Sequence, residues 1–102
     1  MEVAASHSLH FSKADVWEPL HGHNWKITVW CQSAVLDEDG MVVDFMEIER
    51  RIHDFLDHGD LNELLPFNPT AENVARWVCE QIPTCFQVEV RESENDIAVY
   101  YK

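Results

Sequence analysis

Apolar and polar residues follow two different periods along this chain, and the switches between them divide it into elements. Val3, Ala5 and Leu9 mark a short extended block from Met1 to Leu9. From Asn24 to Leu36 the chain is rich in Trp, Val, Ile and Thr, and Trp25, Ile27, Val29 and Cys31 alternate with Lys26, Thr28 and Gln32. That period of two predicts a strand. Between these blocks, His10 to Leu20 keeps no period and contains Pro19, which predicts a loop. Asp37-Glu38-Asp39-Gly40 is turn chemistry, and Met41-Val42-Val43 is expected to continue the sheet beyond it.

The period then lengthens. Phe45, Ile48, Ile52, Phe55 and Leu56 recur at three and four behind Asp44, a good N-cap, so the first helix is expected here. Asp57 to Asn68 reads as irregular. Thr70 caps a second helix with Val74, Trp77, Val78 and Ile82 as its apolar stripe, and Pro83 ends it. In the tail, Phe86, Val88 and Val90 alternate with Gln87, Glu89 and Arg91, and a turn over residues 93–96 leads into Ile97 to Tyr101, a hairpin. The order ββααββ, with strands at the ends and helices between, predicts an α+β domain with two helices on one face of an antiparallel sheet.

A chain of 102 residues is expected to form a single domain over 1–102. Such a domain buries only about two-thirds of its unfolded surface, which makes a partner subunit reasonable. The net charge of −12 narrows the range of partners. A surface this acidic lacks the basic patches that displace counterions, so neither nucleic acid nor an anionic membrane is an expected partner. No apolar run approaches the roughly 18 residues that span a bilayer. Met1-Glu2-Val3 shows no secretory pattern, and the three cysteines, Cys31, Cys79 and Cys85, form no Cys-x-x-Cys pair. A reducing, cytoplasmic location is the expectation, with Cys31 and Cys79 as small buried hydrophobes.

Candidate chemistry centres on His21-Gly22-His23. Residues two apart in an extended chain point the same way, so both imidazoles leave one face. His7, on the first strand, adds a third nitrogen if the two strands pair. Three neutral imidazoles with an open fourth position suit catalytic zinc, and a surface pair of histidines is the alternative. His10 is a spare candidate, and His53 on the first helix reads as a structural histidine. Asp57-His58 fits either a proton relay, if its loop brings the two side chains together, or a polar loop after a helix. Glu18, three residues before His21, fits a general base, a fourth ligand or one of nineteen surface acids. Alternation from Val88 and Val90 places Glu92 on the buried face, where a carboxylate needs a partner such as a ligand with two N–H donors; exposure at the strand end is the other reading.

Together these residues resemble the 6-pyruvoyl-tetrahydropterin synthase and 6-carboxy-tetrahydropterin synthase family. The likeness runs over essentially the whole chain: Val3-Ala4-Ala5-Ser6-His7-Ser8-Leu9, Leu20-His21-Gly22-His23-Asn24-Trp25, Gly40-Met41-Val42-Val43-Asp44-Phe45, Leu56-Asp57-His58 with Leu61-Asn62, Pro69-Thr70-Ala71-Glu72-Asn73 and Val90-Arg91-Glu92 follow in family order. The resemblance implies the tunnelling fold, usually a homohexamer built as a dimer of trimers with active sites at subunit interfaces. It implies Zn2+ held by His7, His21 and His23. It also implies a pterin substrate gripped by Glu92 with Thr70 nearby, and a proton relay by Asp57 and His58 serving a neighbouring subunit.

One departure bears on the reaction. Family members that make the pyruvoyl or carboxy product carry a Cys before the His-Gly-His, whereas Ser8 to Leu20 contains none and Trp17 stands where one subgroup has it. Glu-x-x-His-Gly-His, beginning at Glu18, resembles the subgroup in which Glu replaces Cys and dihydroneopterin is cleaved to 6-hydroxymethyl-dihydropterin for folate synthesis. The expectation is therefore a zinc-dependent lyase acting on 7,8-dihydroneopterin or its phosphates, with Glu18 as base. The alternatives are a 6-carboxy- or 6-pyruvoyl-tetrahydropterin synthase acting on dihydroneopterin triphosphate, and a non-catalytic zinc- and pterin-binding relative. Ser8, where relatives often carry Arg, favours a substrate with less phosphate.

Overall fold

The computed structural model describes residues 1–102, and its sheet is arranged around the two histidine-bearing strands. Strand β1 (Glu2–His7) pairs antiparallel with β4 (His21–Cys31), which sets Val3 opposite Trp25, Ala5 opposite His23 and His7 opposite His21. β4 pairs on its other side with β6 (Cys85–Ser93), and β6 forms a hairpin with β7 (Asp96–Tyr101). Val3, Ala5, Trp25, Ile27, Val88 and Val90 are buried on one face of this sheet. Burying that face against helices is the main stabilisation available to a chain of this size.

The principal cover is α4 (Ala71–Gln81), which packs on β6 and β7. Thr70 starts it as expected, its hydroxyl accepting from the Asn73 amide at 3.1 Å, and Val74, Val78 and Ile82 face the core. No helix is long and apolar enough to cross a membrane.

The α+β fold with an antiparallel sheet stands, with several local departures from the sequence reading. The second strand starts at His21, three residues early, and stops at Cys31, where the β4–β6 register shifts. Met41 to Val43 form no strand, because the Asp37 carboxylate accepts from the Asp39 and Met41 amides and closes a compact turn through Gly40 at φ 80°. The loop from His10 to Leu20 contains a small hairpin of β2 (His10–Phe11) and β3 (Val16–Trp17). The segment read as irregular contains β5 (Gly59–Asp60), parallel to β1, and α3 (Leu61–Leu64).

The first helix also differs. It runs as α1 (Phe45–Ile48), a π-helical turn (Glu49–His53) and α2 (Asp54–Leu56). The wider π turn lets Ile48, Ile52 and Leu56, spaced by four, share the core face. Phe45, expected in that stripe, is 84% exposed, and Phe55 sits at the rim, stacked on Trp77 with ring centroids 5.6 Å apart.

Candidate metal centre and active site

His7 is fully buried at the end of β1, and antiparallel pairing brings His21 opposite it, with His23 two residues along the same face of β4. The backbone decides which nitrogen each ring offers. His7 Nδ1 donates to the Pro69 carbonyl at 2.9 Å, just before the cap of α4, and His21 Nδ1 donates to the Pro19 carbonyl at 2.8 Å. A carbonyl only accepts, so both Nδ1 atoms carry the hydrogen and both Nε2 atoms present lone pairs. These two Nε2 atoms face each other at 3.1 Å. With both rings neutral, two lone pairs face each other at that distance, an arrangement that a shared cation relieves.

His23 strengthens the point. Its Nε2 is buried with no hydrogen-bond partner, although Glu92 Oε1 lies 3.2 Å away. Burial holds the His23 pKa below the usual imidazole value despite the Glu92 charge, so near neutrality this contact joins a neutral ring to a carboxylate rather than forming an ion pair. One ligand atom from each of His7, His21, His23 and Glu92 lies within 4.8 Å of the others. Tetrahedral zinc with Zn–N near 2.0–2.1 Å needs nitrogens about 3.3 Å apart, close to the His7–His21 separation. The donor set, the fixed tautomers and the orphaned His23 nitrogen all fit a divalent metal. Backbone carbonyls bonded to the non-ligating imidazole nitrogens, as Pro69 and Pro19 are here, are the usual accompaniment of such a site.

Glu18 adjoins this cluster. Its carboxylate accepts from the Leu9 amide at 3.1 Å and lies 3.7 Å from His21 Nε2. The Ser8 hydroxyl donates to the Glu18 carbonyl at 2.5 Å, and the Glu18 amide donates to Leu9 at 3.0 Å. The small β2–β3 hairpin thus returns Glu18 to the chain segment that follows His7. Glu92 comes next after Arg91, which pairs with Lys26, so its parity puts it on the His23 side of the sheet. Beyond Glu92 opens a cavity of about 560 Å3, bounded by Ala71, Glu72, Asp96 and Ile97. Thr70 borders the first turn of α4, where its hydroxyl is engaged as the cap.

Asp57 and His58 meet each other but not this cluster. His58 takes a left-handed backbone, φ 61°, which turns its ring back so that Nδ1 lies 2.8 Å from Asp57 Oδ2. Asp57 Oδ1 accepts from the Ala4 amide at 2.9 Å, and the His58 amide donates to the Ala4 carbonyl. A carboxylate at a helix C-terminus opposes the helix dipole. The Ala4 amide first, and the His58 ring after it, hold this one below the usual carboxylate range. The His58 ring is 84% exposed and makes no hydrogen bond or ion pair with His7, His21, His23, Glu18 or Glu92.

His10 lies outside the cluster, 2.9 Å from Asp15. A larger apolar cavity, about 1010 Å3 between Val29, Met41, Phe45 and Ile48, is lined by none of the clustered residues. Sequence reading noted Asn62 only within a motif and passed over Asn68, yet the two clamp the exit of β1. Asn62 accepts from the Ser8 amide and donates to its carbonyl at 2.7 and 2.8 Å, and Asn68 does the same for His10 at 2.9 and 3.2 Å. Both lie in the stretch read as irregular, where a long-range clamp leaves no periodic signal.

The sequence model of the family described as 6-pyruvoyl tetrahydropterin synthase matches residues 1–102. The chain is 28% identical over 117 residues to the 6-carboxy-5,6,7,8-tetrahydropterin synthase of Bacillus subtilis, spanning 98% of this chain and 80% of that protein. It is 34% identical over 82 residues to the dihydroneopterin monophosphate aldolase of Pyrococcus furiosus, spanning 78% of this chain and 69% of that one. The 6-pyruvoyl tetrahydropterin synthase of Caenorhabditis elegans has the same fold, with a TM-score of 0.74 at 23% identity over 100% of this chain and 91% of that chain.

Proposed function

The chain belongs to the 6-pyruvoyl tetrahydropterin synthase family, and from that premise we propose that it is a zinc-dependent lyase that cleaves the side chain of 7,8-dihydroneopterin, or a phosphate of it, to 6-hydroxymethyl-7,8-dihydropterin. The observation that carries this reading is which acid–base group stands beside the histidines. Glu18 is there, and no thiol is. Cys31 lies eight residues beyond His23 on the same strand, about 27 Å away at the rise of a β-strand. Cys85 is its cross-strand partner and Cys79 donates to the Cys85 carbonyl, so all three thiols gather at the far end of the sheet. Burial pushes Cys31 up and Cys85 up to about 11, which leaves both as poor bases at neutral pH.

His7, His21 and His23 would hold the metal. Bound there, zinc supplies Lewis acidity toward the side-chain hydroxyls of the substrate. Glu18, fixed by the Leu9 amide, takes the proton from the 2′-hydroxyl. The 2′ oxygen becomes a carbonyl, the C1′–C2′ bond breaks, and its electron pair passes to C1′ and the conjugated pterin ring. His58, backed by Asp57, returns a proton to C1′, and a two-carbon aldehyde leaves. Glu92 grips the pterin edge through two N–H donors, with Thr70 nearby at the start of α4. His58 makes no hydrogen bond or ion pair with the histidines of its own chain, which suits the homohexamer that the family resemblance implies, with this pair serving a neighbouring subunit.

A second reading, synthesis of a 6-carboxy- or 6-pyruvoyl-tetrahydropterin, is favoured by the Bacillus subtilis relative, whose match spans almost all of this chain. The Pyrococcus furiosus aldolase supports the first. Glu18→Gln tests the assignment: zinc content should persist while turnover falls at least about 100-fold, the lower range for losing a general base. Unchanged turnover removes Glu18 from the reaction.

A further inference from the structure

Asp57 has three polar neighbours, two in hydrogen-bond contact and one at longer range, and the last has no place in the scheme above. Oδ1 is committed to the Ala4 amide, so Oδ2 alone remains for the imidazoles. His58 Nδ1 lies 2.8 Å from Oδ2, and His53 Nε2 lies 3.9 Å from the same atom. The other His53 nitrogen, Nδ1, stands 3.1 Å from Asp54 Oδ1. The four side chains therefore form a ladder, Asp54–His53–Asp57–His58, with one carboxylate oxygen between two rings. The helix places them there. Asp54 donates to Glu49 across the π turn, and Asp57 donates to the His53 carbonyl at 2.8 Å, which sets His53 and Asp57 one turn apart on the same side.

We propose that His53 is a positioning residue for the Asp57–His58 pair, sharing the Asp57 carboxylate so that a cation at His53 makes His58 a readier proton donor. The inference rests on the proposed role of Asp57 and His58 in returning the proton to substrate. Its physical basis is competition: a positive ring beside Oδ2 satisfies part of the Asp57 charge and repels a second proton on His58. The groups facing His53 are Asp54 and Glu49 from its own helix, Asp57 from the helix end, and the Met1 ammonium across the larger cavity, which donates to the Ile27 carbonyl. His58 faces Asp57 from the following loop. The Asp54 hydrogen bond, then Asp57 and Glu49, raise the His53 pKa and extend its cationic form toward neutral pH.

The test compares zinc-loaded wild type with His53→Asn, His53→Lys and His58→Asn, by pH profiles of kcat and by NMR titration of the His58 ring. In His53→Asn the His58 ring should stay protonated to higher pH. The alkaline limb of kcat should follow it upward by on the order of half a pH unit, as for a charge several ångströms away near the surface, with a plateau lowered a few-fold. His53→Lys, which restores a cation, should return both curves toward wild type. Unchanged His58 titration and an unchanged profile in His53→Asn would overturn the proposal, whatever the variant's stability. If His58→Asn keeps full turnover, the catalytic reading of the pair fails first, and the NMR arm still decides whether His53 and His58 share Asp57.

Discussion

Zinc added to metal-free protein should raise its melting temperature by roughly 10–20 °C. The three histidines proposed as ligands come from β1 and β4, and the His7 ring is tied through Pro69 to the start of α4. An ion held by them fastens the two strands to each other and to the helix start, and the unfolded chain offers no comparable site. With free zinc at 100 times its dissociation constant, linkage gives about 2.7 kcal/mol. In a domain of roughly 100 residues each kcal/mol moves the melting temperature by about 4–8 °C, which yields the stated range. The assay is calorimetry with excess chelator against buffered zinc. His21→Ala is the informative control, because this ring is more exposed than His7 and its loss opens no core cavity. That variant should lose most of the shift. No rise in the wild type, or an equal rise in a variant lacking both His21 and His23, would refute the metal centre.

Gly59→Ala should cost about 1–3 kcal/mol in urea denaturation, because a Cβ would sit 2.5 Å from Leu64 Cδ1 and 3.0 Å from the Leu56 carbonyl oxygen; a variant as stable as wild type would show that α3 gives way freely. Thr70→Ala should lose about 1 kcal/mol with the cap, while Thr70→Ser keeps most of it. It should also weaken zinc in a competition titration, since the neighbouring Pro69 carbonyl orients His7. The pH dependence of the metal-free protein follows from His23. Its folded pKa is lowered by burial, so the unfolded state binds the proton more readily. Stability is complete above the ordinary imidazole value and declines as pH falls from there through the lowered one. Urea midpoints between pH 7.5 and 5 should fall less steeply in His23→Gln than in wild type.

The histidine cluster was legible because parity and pairing are simple rules. His21 and His23 share a face by alternation, and the register that buries Val3 against Trp25 carries His7 to His21. Glu92 follows from the same parity, two residues beyond Val90. The Asp57–His58 contact was not legible. Adjacent side chains in an extended chain diverge, and these meet only because His58 is left-handed and Ala4 clamps the loop. β5 escaped because two residues carry no period, and its register depends on Gly59 fitting beneath Leu64. Phe45 was misplaced because it is the first helical residue, where the helix has not yet reached the core, and it borders the larger apolar cavity instead. The Pro69 and Pro19 carbonyls that set the tautomers are backbone groups, which no residue type announces.

The most direct measurement incubates the zinc-loaded protein separately with 7,8-dihydroneopterin, its monophosphate and its triphosphate, and identifies the products by mass. The expected products are 6-hydroxymethyl-7,8-dihydropterin and a two-carbon aldehyde from at least one of the three, with Glu18→Gln nearly inactive on the same substrate. A 6-carboxy- or 6-pyruvoyl-tetrahydropterin as the product, or bound pterin with no turnover of any substrate, would contradict that expectation.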